Sequence, residues 1–158
     1  FGTEDSSENP GGIAAWESRK QTPGRSRLSG VPRTLPALLR AHRQSEKAAA
    51  VGFDWSNIDD VFGKVEEEIA ELKEAISAGD AHSIEHEVGD LLLSVANLAR
   101  HVESPPEAAL RRANDRFASR FATLERLALE DGVDLNGSTE EAILDALWER
   151  AKALEKSC

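Results

Sequence analysis

Apolar residues recur at spacings of three and four along most of this 158-residue chain. An α-helix completes one turn in about 3.6 residues, so this spacing places the apolar residues on one side of a helix. Segments 58–77 and 81–102 show the pattern most regularly, and segments 33–50, 105–130 and 139–156 also follow it. No segment alternates as a strand does. The sequence therefore predicts an all-α fold, with a four-helix core bundle and an additional C-terminal helix.

Local signals place the helix starts and the buried faces. Ser104, Pro105 and Glu107 predict an N-cap, a proline at N1 and an acid at N3, and Ser138 to Glu141 predicts a second capping box. Segment 81–102 is apolar on more than one side, which predicts burial in a bundle or at a subunit interface. In the helix of segment 105–130, the residues predicted to face inwards are Ala113, Phe117, Phe121, Leu124 and Leu127.

Composition excludes several classes of protein. The formal net charge is −10, which argues against direct nucleic-acid binding because that needs a basic surface. One cysteine cannot form a disulfide within the chain, which favours a reducing compartment and a cytoplasmic protein. No apolar run approaches the length of about 20 residues that spans a membrane.

The two ends of the chain suggest a piece of a longer protein. Residues 1–30 are rich in Gly, Ser, Pro, Glu and Arg, and are predicted to be a flexible inter-domain linker or tail. Residues 31–158 are predicted to form the helical domain. The chain has no Met and begins with Phe1, so we expect that a preceding segment exists in the parent protein.

Carboxylates lie beside the apolar stripes of two consecutive helices. Glu67, Glu68 and Glu71 share one flank of the helix at 58–77, and Glu68 falls only about 60° from the centre of its apolar stripe. Glu87 and Asp90, three residues apart, share a face of the next helix. The polar edge of that helix continues with Ser94, Asn97 and His101.

Carboxylates at the boundary of a core are costly unless they have a partner, because burial disfavours their charged form. A hard divalent cation such as Mg²⁺ resolves this conflict, since it prefers oxygen ligands. An acidic helix face is commonly just solvated, however. The residues alone leave both interpretations open.

Several segments together are similar to one family. VEEEIAEL at 65–72 contains an EExxE motif, and EVGDLL at 87–92 contains an ExxD motif. With PRTLPALLRA at 32–41, VGFDW at 51–55 and NLARH at 97–101, the chain resembles the MazG-type nucleoside triphosphate pyrophosphohydrolases, which are all-α enzymes, from about residue 32 to 152. Phe1-Gly2 resembles the end of a preceding MazG domain, so this chain would be the second domain of a tandem protein.

The resemblance implies an activity and a set of ligands. Such enzymes hydrolyse nucleoside or deoxynucleoside triphosphates between the α and β phosphates, giving the monophosphate and pyrophosphate. The family's metal ligands fall on Glu68, Glu71, Glu87 and Asp90, with Mg²⁺ as the cofactor and Mn²⁺ as a possible substitute. Glu67 is then expected to bind a second metal or to orient the nucleophilic water.

The resemblance also implies substrate contacts on the last two helices. Asn114, Arg116 and Arg120 match a family pattern whose basic residues contact the phosphates, although Arg116 replaces the usual Lys. Trp148 and Lys152 match a pair that closes over the nucleotide. The alternatives are that the arginines simply pair with glutamates and that Trp148 is a core aromatic.

The family forms homodimers in which helices of two subunits complete each active site, so a homodimer is expected here. Two other functions are weighed against the main one. The chain could be a non-catalytic half that only dimerises or regulates a tandem protein, or a related all-α pyrophosphohydrolase acting on dUTP or phosphoribosyl-ATP. The histidines, including His82, His86 and His101, are predicted to be surface or capping residues.

Overall fold

The computed structural model describes residues 26–155, and in this range the chain forms five helices and no strand. This confirms the predicted all-α class. Most of the predicted linker, residues 1–30, lies outside the described residues. The helices are α1 (Ala37–Ala49), α2 (Ile58–Ala78), α3 (Ala81–His101), α4 (Pro106–Glu130) and α5 (Glu141–Glu155).

The boundaries of α2 follow from local chemistry. The side chain of Asn57 accepts a hydrogen bond from the backbone N–H of Asp60 at 2.9 Å and so caps the first turn. Gly79 ends the helix with φ of 71°, a left-handed conformation that glycine adopts without steric cost. Asp80 then caps α3 by accepting from the N–H of His82. The turn between these two helices is therefore short and fixed.

Two predicted helix starts are wrong. The N-cap of α4 is Pro105 and not Ser104, and the N–H of Ser104 instead closes the turn after α3 by donating to the carbonyl of Ala99. The predicted capping box at Ser138 to Glu141 does not form. Asn136 and Thr139 bond to each other in the preceding turn instead, and α5 begins at Glu141.

The helices pack mainly on their neighbours in sequence. Among the described helices, the backbone of α2 approaches only α3, and that of α5 approaches only α4. Helix α1 reaches across to both α3 and α4, and so links the two pairs. The described helices of one chain therefore form two pairs of sequence neighbours, α2–α3 and α4–α5, which are joined through α1 and by a smaller contact between α3 and α4.

The main buried cluster lies between α4 and α5. It consists of Leu124, Leu127, Ala128, Leu147 and Ala151. Leu124 and Leu127 confirm the predicted inward face of α4. Phe117 and Phe121 do not, because they are 59% and 43% exposed on the half of α4 that precedes this cluster. Phe117 still has an aromatic neighbour on α5, because the centroid of its ring lies 5.6 Å from that of Trp148.

Helices α2 and α3 leave apolar side chains on the surface of the described chain. Ile69 and Ile76 of α2 and Leu92, Leu93 and Val95 of α3 are all exposed. All of them except Leu93 belong to the apolar stripes that the sequence predicted to be buried. No helix in the described range is long and apolar enough to cross a membrane.

Candidate metal centre and adjoining pocket

Three carboxylates meet where α2 packs on α3. Glu68, Glu71 and Glu87 each offer an oxygen, and these oxygens lie within 4.8 Å of one another. Glu68 is only 4% exposed, which confirms its predicted position at the core boundary. The short α2–α3 turn and the helical spacing together bring these side chains to one place, because Glu68 and Glu71 share a flank of α2.

The buried carboxylate of Glu68 has one partner and one unused oxygen. Lys64 donates to its Oε1 from 2.8 Å and also lies 3.0 Å from Oε1 of Glu67. The hydrogen bonds to these two carboxylates raise the pKa of the Lys64 ammonium above its ordinary value. Oε2 of Glu68 is buried and has no hydrogen-bond partner. Buried oxygens usually have one, so this atom is suited to a ligand.

The electrostatics of the cluster favour a cation. Desolvation first, and then the charges of Glu68 and Glu87, raise the pKa of Glu71 above its ordinary value. A divalent ion bound here would oppose this rise in the pKa of Glu71, because its positive charge favours the ionised carboxylate over the neutral acid. Three carboxylate oxygens form a donor set that suits Mg²⁺ or Mn²⁺. The residues present therefore fit the implied cofactor.

A second group of possible ligands shares Glu87. His86, Glu87 and Asp90 also offer atoms within 4.8 Å of one another. The Nδ1 atom of His86 lies 3.2 Å from Asp90 and 3.4 Å from Glu87. The predicted metal ligands thus fall into two overlapping groups, with Glu68 and Glu71 in one, Asp90 in the other and Glu87 in both.

The predicted phosphate-binding residues lie on α4, away from these carboxylates in the same chain. Asn114 and Arg116 are exposed, and neither forms a hydrogen bond or ion pair in the part of the chain described. Arg120 pairs with Glu155 of α5. α2 approaches neither α4 nor α5, and although α3 approaches α4, no described hydrogen bond or ion pair joins this row to the acidic cluster.

The predicted pair on α5 is also separate from the cluster. Trp148 packs against Phe117 and borders the core of the α4–α5 pair, and Lys152 pairs with Glu149. A pocket of about 540 Å³ lies beside Trp148, with Phe117 and Phe121 in its wall. Trp148 is thus partly a core residue and partly a pocket residue.

A second pocket, of about 480 Å³, adjoins the carboxylates. We call it the Asn97 pocket. Glu68, Lys64 and Asp90 form part of its wall together with Phe53 and Trp55 of the loop before α2. Ser94 and Asn97 of α3 also line it. A ligand could therefore contact the acidic cluster and the aromatic loop at the same time.

The loop that carries these aromatic residues is tied to α3 through Asp54. One oxygen of Asp54 accepts from Arg100 at 2.5 Å and lies 3.0 Å from Nε2 of His101. Partial burial disfavours the Asp54 carboxylate, but the hydrogen bonds from Arg100, the Trp55 backbone and His101 outweigh it and lower the pKa of Asp54. The VGFDW segment is therefore held against the NLARH segment by a charged contact.

Sequence reasoning missed some members of this site. Lys64 lies three residues before Glu67 and four before Glu68, and this spacing could have indicated the pairing. His86 lies four residues before Asp90, so the same rule could have placed it in the cluster. The contact of Asp54 with Arg100 spans 46 residues, and no local pattern predicts it.

Comparison with known proteins identifies the family of this chain. Residues 59–122, which include all these carboxylates, match the MazG nucleotide pyrophosphohydrolase domain. The nucleoside triphosphate pyrophosphohydrolase of Escherichia coli K12 is 39% identical over 160 residues, covering 96% of this chain and 60% of that protein.

Relatives in other bacteria show the same relationship. The nucleoside triphosphate pyrophosphohydrolase/pyrophosphatase MazG of Thermotoga maritima is 43% identical over 141 residues, covering 87% of this chain and 54% of that protein. The protein YabN of Bacillus subtilis is 41% identical over 149 residues, covering 91% of this chain and 30% of its own length. The chain spans only part of each relative. It nevertheless carries a MazG nucleotide pyrophosphohydrolase domain and is homologous over most of its length to the MazG nucleoside triphosphate pyrophosphohydrolases.

Proposed function

We propose that this domain hydrolyses nucleoside or deoxynucleoside triphosphates between the α and β phosphates, with Mg²⁺ as its cofactor and Mn²⁺ as a substitute. The observation that carries the proposal is the convergence of Glu68, Glu71 and Glu87 within 4.8 Å around a buried oxygen that has no partner. A purely structural ion pair would leave no such oxygen, because a buried acceptor without a partner costs stability. The relatives named nucleoside triphosphate pyrophosphohydrolases support the same reaction class.

We assign the metal to Glu68, Glu71, Glu87 and Asp90. When bound there, Mg²⁺ would neutralise phosphate charge and lower the pKa of a water molecule. Glu67 is exposed beside Glu68, where its carboxylate can orient that water or accept its proton. Arg116 and Arg120 would hold the leaving pyrophosphate through their guanidinium groups, and Asn114 would hold a phosphate oxygen. Trp148 and Lys152 would close over the nucleotide.

The proposed arrangement needs two chains. The phosphate-binding residues lie on α4 and α5, which do not approach α2 in the same chain. Apolar side chains are exposed on α2 and α3, including Ile76 and Leu92, and burying them is favourable. We infer a homodimer in which α4 of one subunit faces the acidic cluster of the other. The two subunits would then close the four-helix core.

The activity is tested with a panel of nucleotides. The protein, Mg²⁺ and each of the ribo- and deoxynucleoside triphosphates are incubated, and monophosphate and pyrophosphate are measured. Glu68→Gln and Asp90→Asn are expected to abolish product formation, because each removes one charged ligand. Glu66→Gln removes the same charge from an exposed neighbour on α2 and is expected to retain activity. Wild-type rates in Glu68→Gln would rule out this site.

The shared active site is tested by mixing variants. Glu68→Gln chains and Arg116→Ala chains are each expected to be inactive alone. If Arg116 acts on the partner's cluster, a mixed dimer has one intact site, and random mixing restores about one quarter of wild-type activity. Recovery after unfolding and refolding the mixture supports the dimer. No recovery, with a dimer seen by size-exclusion chromatography, would place both residues in the same chain's site.

A non-catalytic dimerisation domain makes a different prediction. It would form the same dimer, but titration with Mg²⁺ in a calorimeter would give no saturable binding. Substrates such as dUTP and phosphoribosyl-ATP belong in the nucleotide panel, because related all-α pyrophosphohydrolases act on them. If the protein hydrolysed only dUTP or only phosphoribosyl-ATP, the proposal of a broad activity on nucleoside triphosphates would be wrong.

A further inference from the structure

Asn97 has an unusual environment for a polar side chain. It is 5% exposed, it lines the Asn97 pocket, and its Nδ2 atom is buried without a hydrogen-bond partner. A buried donor left unpaired costs stability, and such groups are rare in folded proteins. The donor lies at the wall of a pocket that also contains Glu68 and Asp90. A ligand that fills this pocket could supply the missing acceptor.

The orientation of the Asn97 amide is fixed by its neighbour. Nε of Arg100 donates to Oδ1 of Asn97 at 3.0 Å, and Arg100 is itself held by Asp54. An arginine can only donate hydrogen bonds, so the atom facing it must be the amide oxygen and cannot be the nitrogen. The unpartnered group of Asn97 is therefore an N–H donor, whereas its oxygen already accepts from Arg100. Asp54 and Arg100 act as positioning residues for this donor.

The distance from the metal ligands indicates which part of a nucleotide reaches Asn97. Asp90 and Asn97 are seven residues apart on α3, which is two turns and about 10 Å along the helix axis. The sugar is bonded directly to the α-phosphate, whereas the base extends beyond it. A nucleotide whose phosphates contact the carboxylates therefore brings the far edge of its base towards Asn97. Phe53 and Trp55, in the same wall, offer rings on which a base can stack.

We propose that Asn97 reads the exocyclic group on the far edge of the base and favours bases with a carbonyl oxygen there. Guanine and thymine carry an acceptor at this position, and so do uracil and hypoxanthine. Adenine and cytosine carry an amino group, which would set a donor against the Asn97 donor. This inference rests on the proposed function, because it assumes that the pocket holds the base of the substrate.

Two matched pairs of substrates test the proposal. ITP differs from ATP, and UTP from CTP, chiefly in the exchange of a carbonyl oxygen for an amino group. We expect kcat/KM to be about tenfold higher for ITP than for ATP and for UTP than for CTP, which corresponds to gaining one hydrogen bond and avoiding one unpaired donor. A wild-type ratio near one for both pairs would overturn the proposal.

Variants test whether the preference for bases with a carbonyl oxygen depends on the side chain of Asn97. Asn97→Ala is expected to bring both ratios close to one, and Asn97→Ser serves the same purpose if the alanine variant fails to fold. Asn97→Asp offers an acceptor in place of the donor and is expected to reverse the preference towards ATP and CTP. Asn57→Ala removes the cap of α2, away from the pocket wall, and is expected to keep the wild-type ratios despite its lower stability. Unchanged ratios in Asn97→Ala would refute the assignment.

A binding measurement separates this proposal from the proposed function. IMP and AMP are titrated in a calorimeter against the folded wild-type protein in the presence of Mg²⁺. IMP is expected to bind about tenfold more tightly. If no triphosphate is hydrolysed but IMP is preferred, the catalytic proposal fails and the assignment of Asn97 stands. If triphosphates are hydrolysed and IMP and AMP bind equally, the assignment of Asn97 fails alone.

Discussion

Replacing Glu68 with Gln tests the metal centre with the smallest possible change. The substitution keeps the shape of the side chain but removes the charge of the most buried carboxylate in the cluster. Of the four ligands assigned, Glu71, Glu87 and Asp90 then remain charged. We expect the affinity for Mg²⁺ to fall by about 100-fold, since removal of outer hydrogen-bond partners alone commonly costs about 10- to 100-fold.

This loss translates into a difference in thermal stability. At a Mg²⁺ concentration about 100 times its dissociation constant, binding stabilises the folded wild type by about 2.7 kcal/mol, whereas a variant with 100-fold weaker binding gains only about 0.4 kcal/mol. For a domain of this size each kcal/mol shifts Tm by about 4 °C. Mg²⁺ should therefore raise Tm by about 10 °C in the wild type and by about 2 °C in Glu68→Gln.

The assay is differential scanning calorimetry of both proteins across a Mg²⁺ titration. Glu66→Gln is the matched control, because it removes the same charge from an exposed position two residues earlier on α2. Its response to Mg²⁺ should equal that of the wild type. If Glu68→Gln gains as much Tm from Mg²⁺ as Glu66→Gln does, then Glu68 is not a metal ligand and the proposed centre is refuted.

Three further predictions concern the ion pairs and the core. Lys64→Met leaves Glu68 without its partner, so it should destabilise the metal-free protein by about 1–2 kcal/mol, and Mg²⁺ should reduce this gap. Leu147→Ala opens a cavity in the α4–α5 cluster and should cost about 3 kcal/mol in urea unfolding. Asp54→Asn should lower stability by about 1 kcal/mol near pH 7, because the contact with Arg100 needs the carboxylate. Since the pKa of Asp54 is lowered in the folded state, this contribution is present above the unfolded value of 3.8 and is lost as the pH falls through the folded pKa.

Each of these predictions has a control or a contradicting result. Lys73→Met removes an exposed lysine from the same helix and should change stability by less than about 0.5 kcal/mol. Leu129→Ala, at a residue that is 81% exposed, should be similarly mild, and equal losses for Leu129 and Leu147 would contradict the burial argument. A stability difference between wild type and Asp54→Asn that persists unchanged at pH 2 would show that the contact does not act through the charge.

The sequence predicted the helices well because their signals are local. The apolar spacing of segment 58–77 predicted α2, and Asn57 and Gly79 set its ends through chemistry within one turn. Glu68 was placed at the core boundary by helical geometry alone. The same geometry could not decide which apolar faces are covered, so Phe117 was predicted to be buried although it is exposed. Burial depends on which helix lies opposite, and that is not a property of one segment.

The site was predictable in part for the same reason. Spacing placed Glu67, Glu68 and Glu71 on one flank of α2 and Glu87 and Asp90 on one face of α3, and the resemblance to a family assigned metal ligands among them. The contact of Asp54 with Arg100, which orients Asn97, joins residues that are distant in the chain and left no pattern in the sequence. The start of α4 was misplaced by one residue, because Ser104 belongs to the turn that ends α3 and Pro105 takes the N-cap position.

The packing of each helix on its neighbour in sequence also has a consequence for how the chain folds. The α2–α3 and α4–α5 pairs can each form by closing one short connection, and short connections are closed at little entropic cost. Chains dominated by such local contacts reach the native state quickly, within about a millisecond for helical domains of moderate size. Helix α1 packs on both pairs and α3 also approaches α4, so the docking of α1 together with this contact is the step at which two hairpins become one cooperative unit.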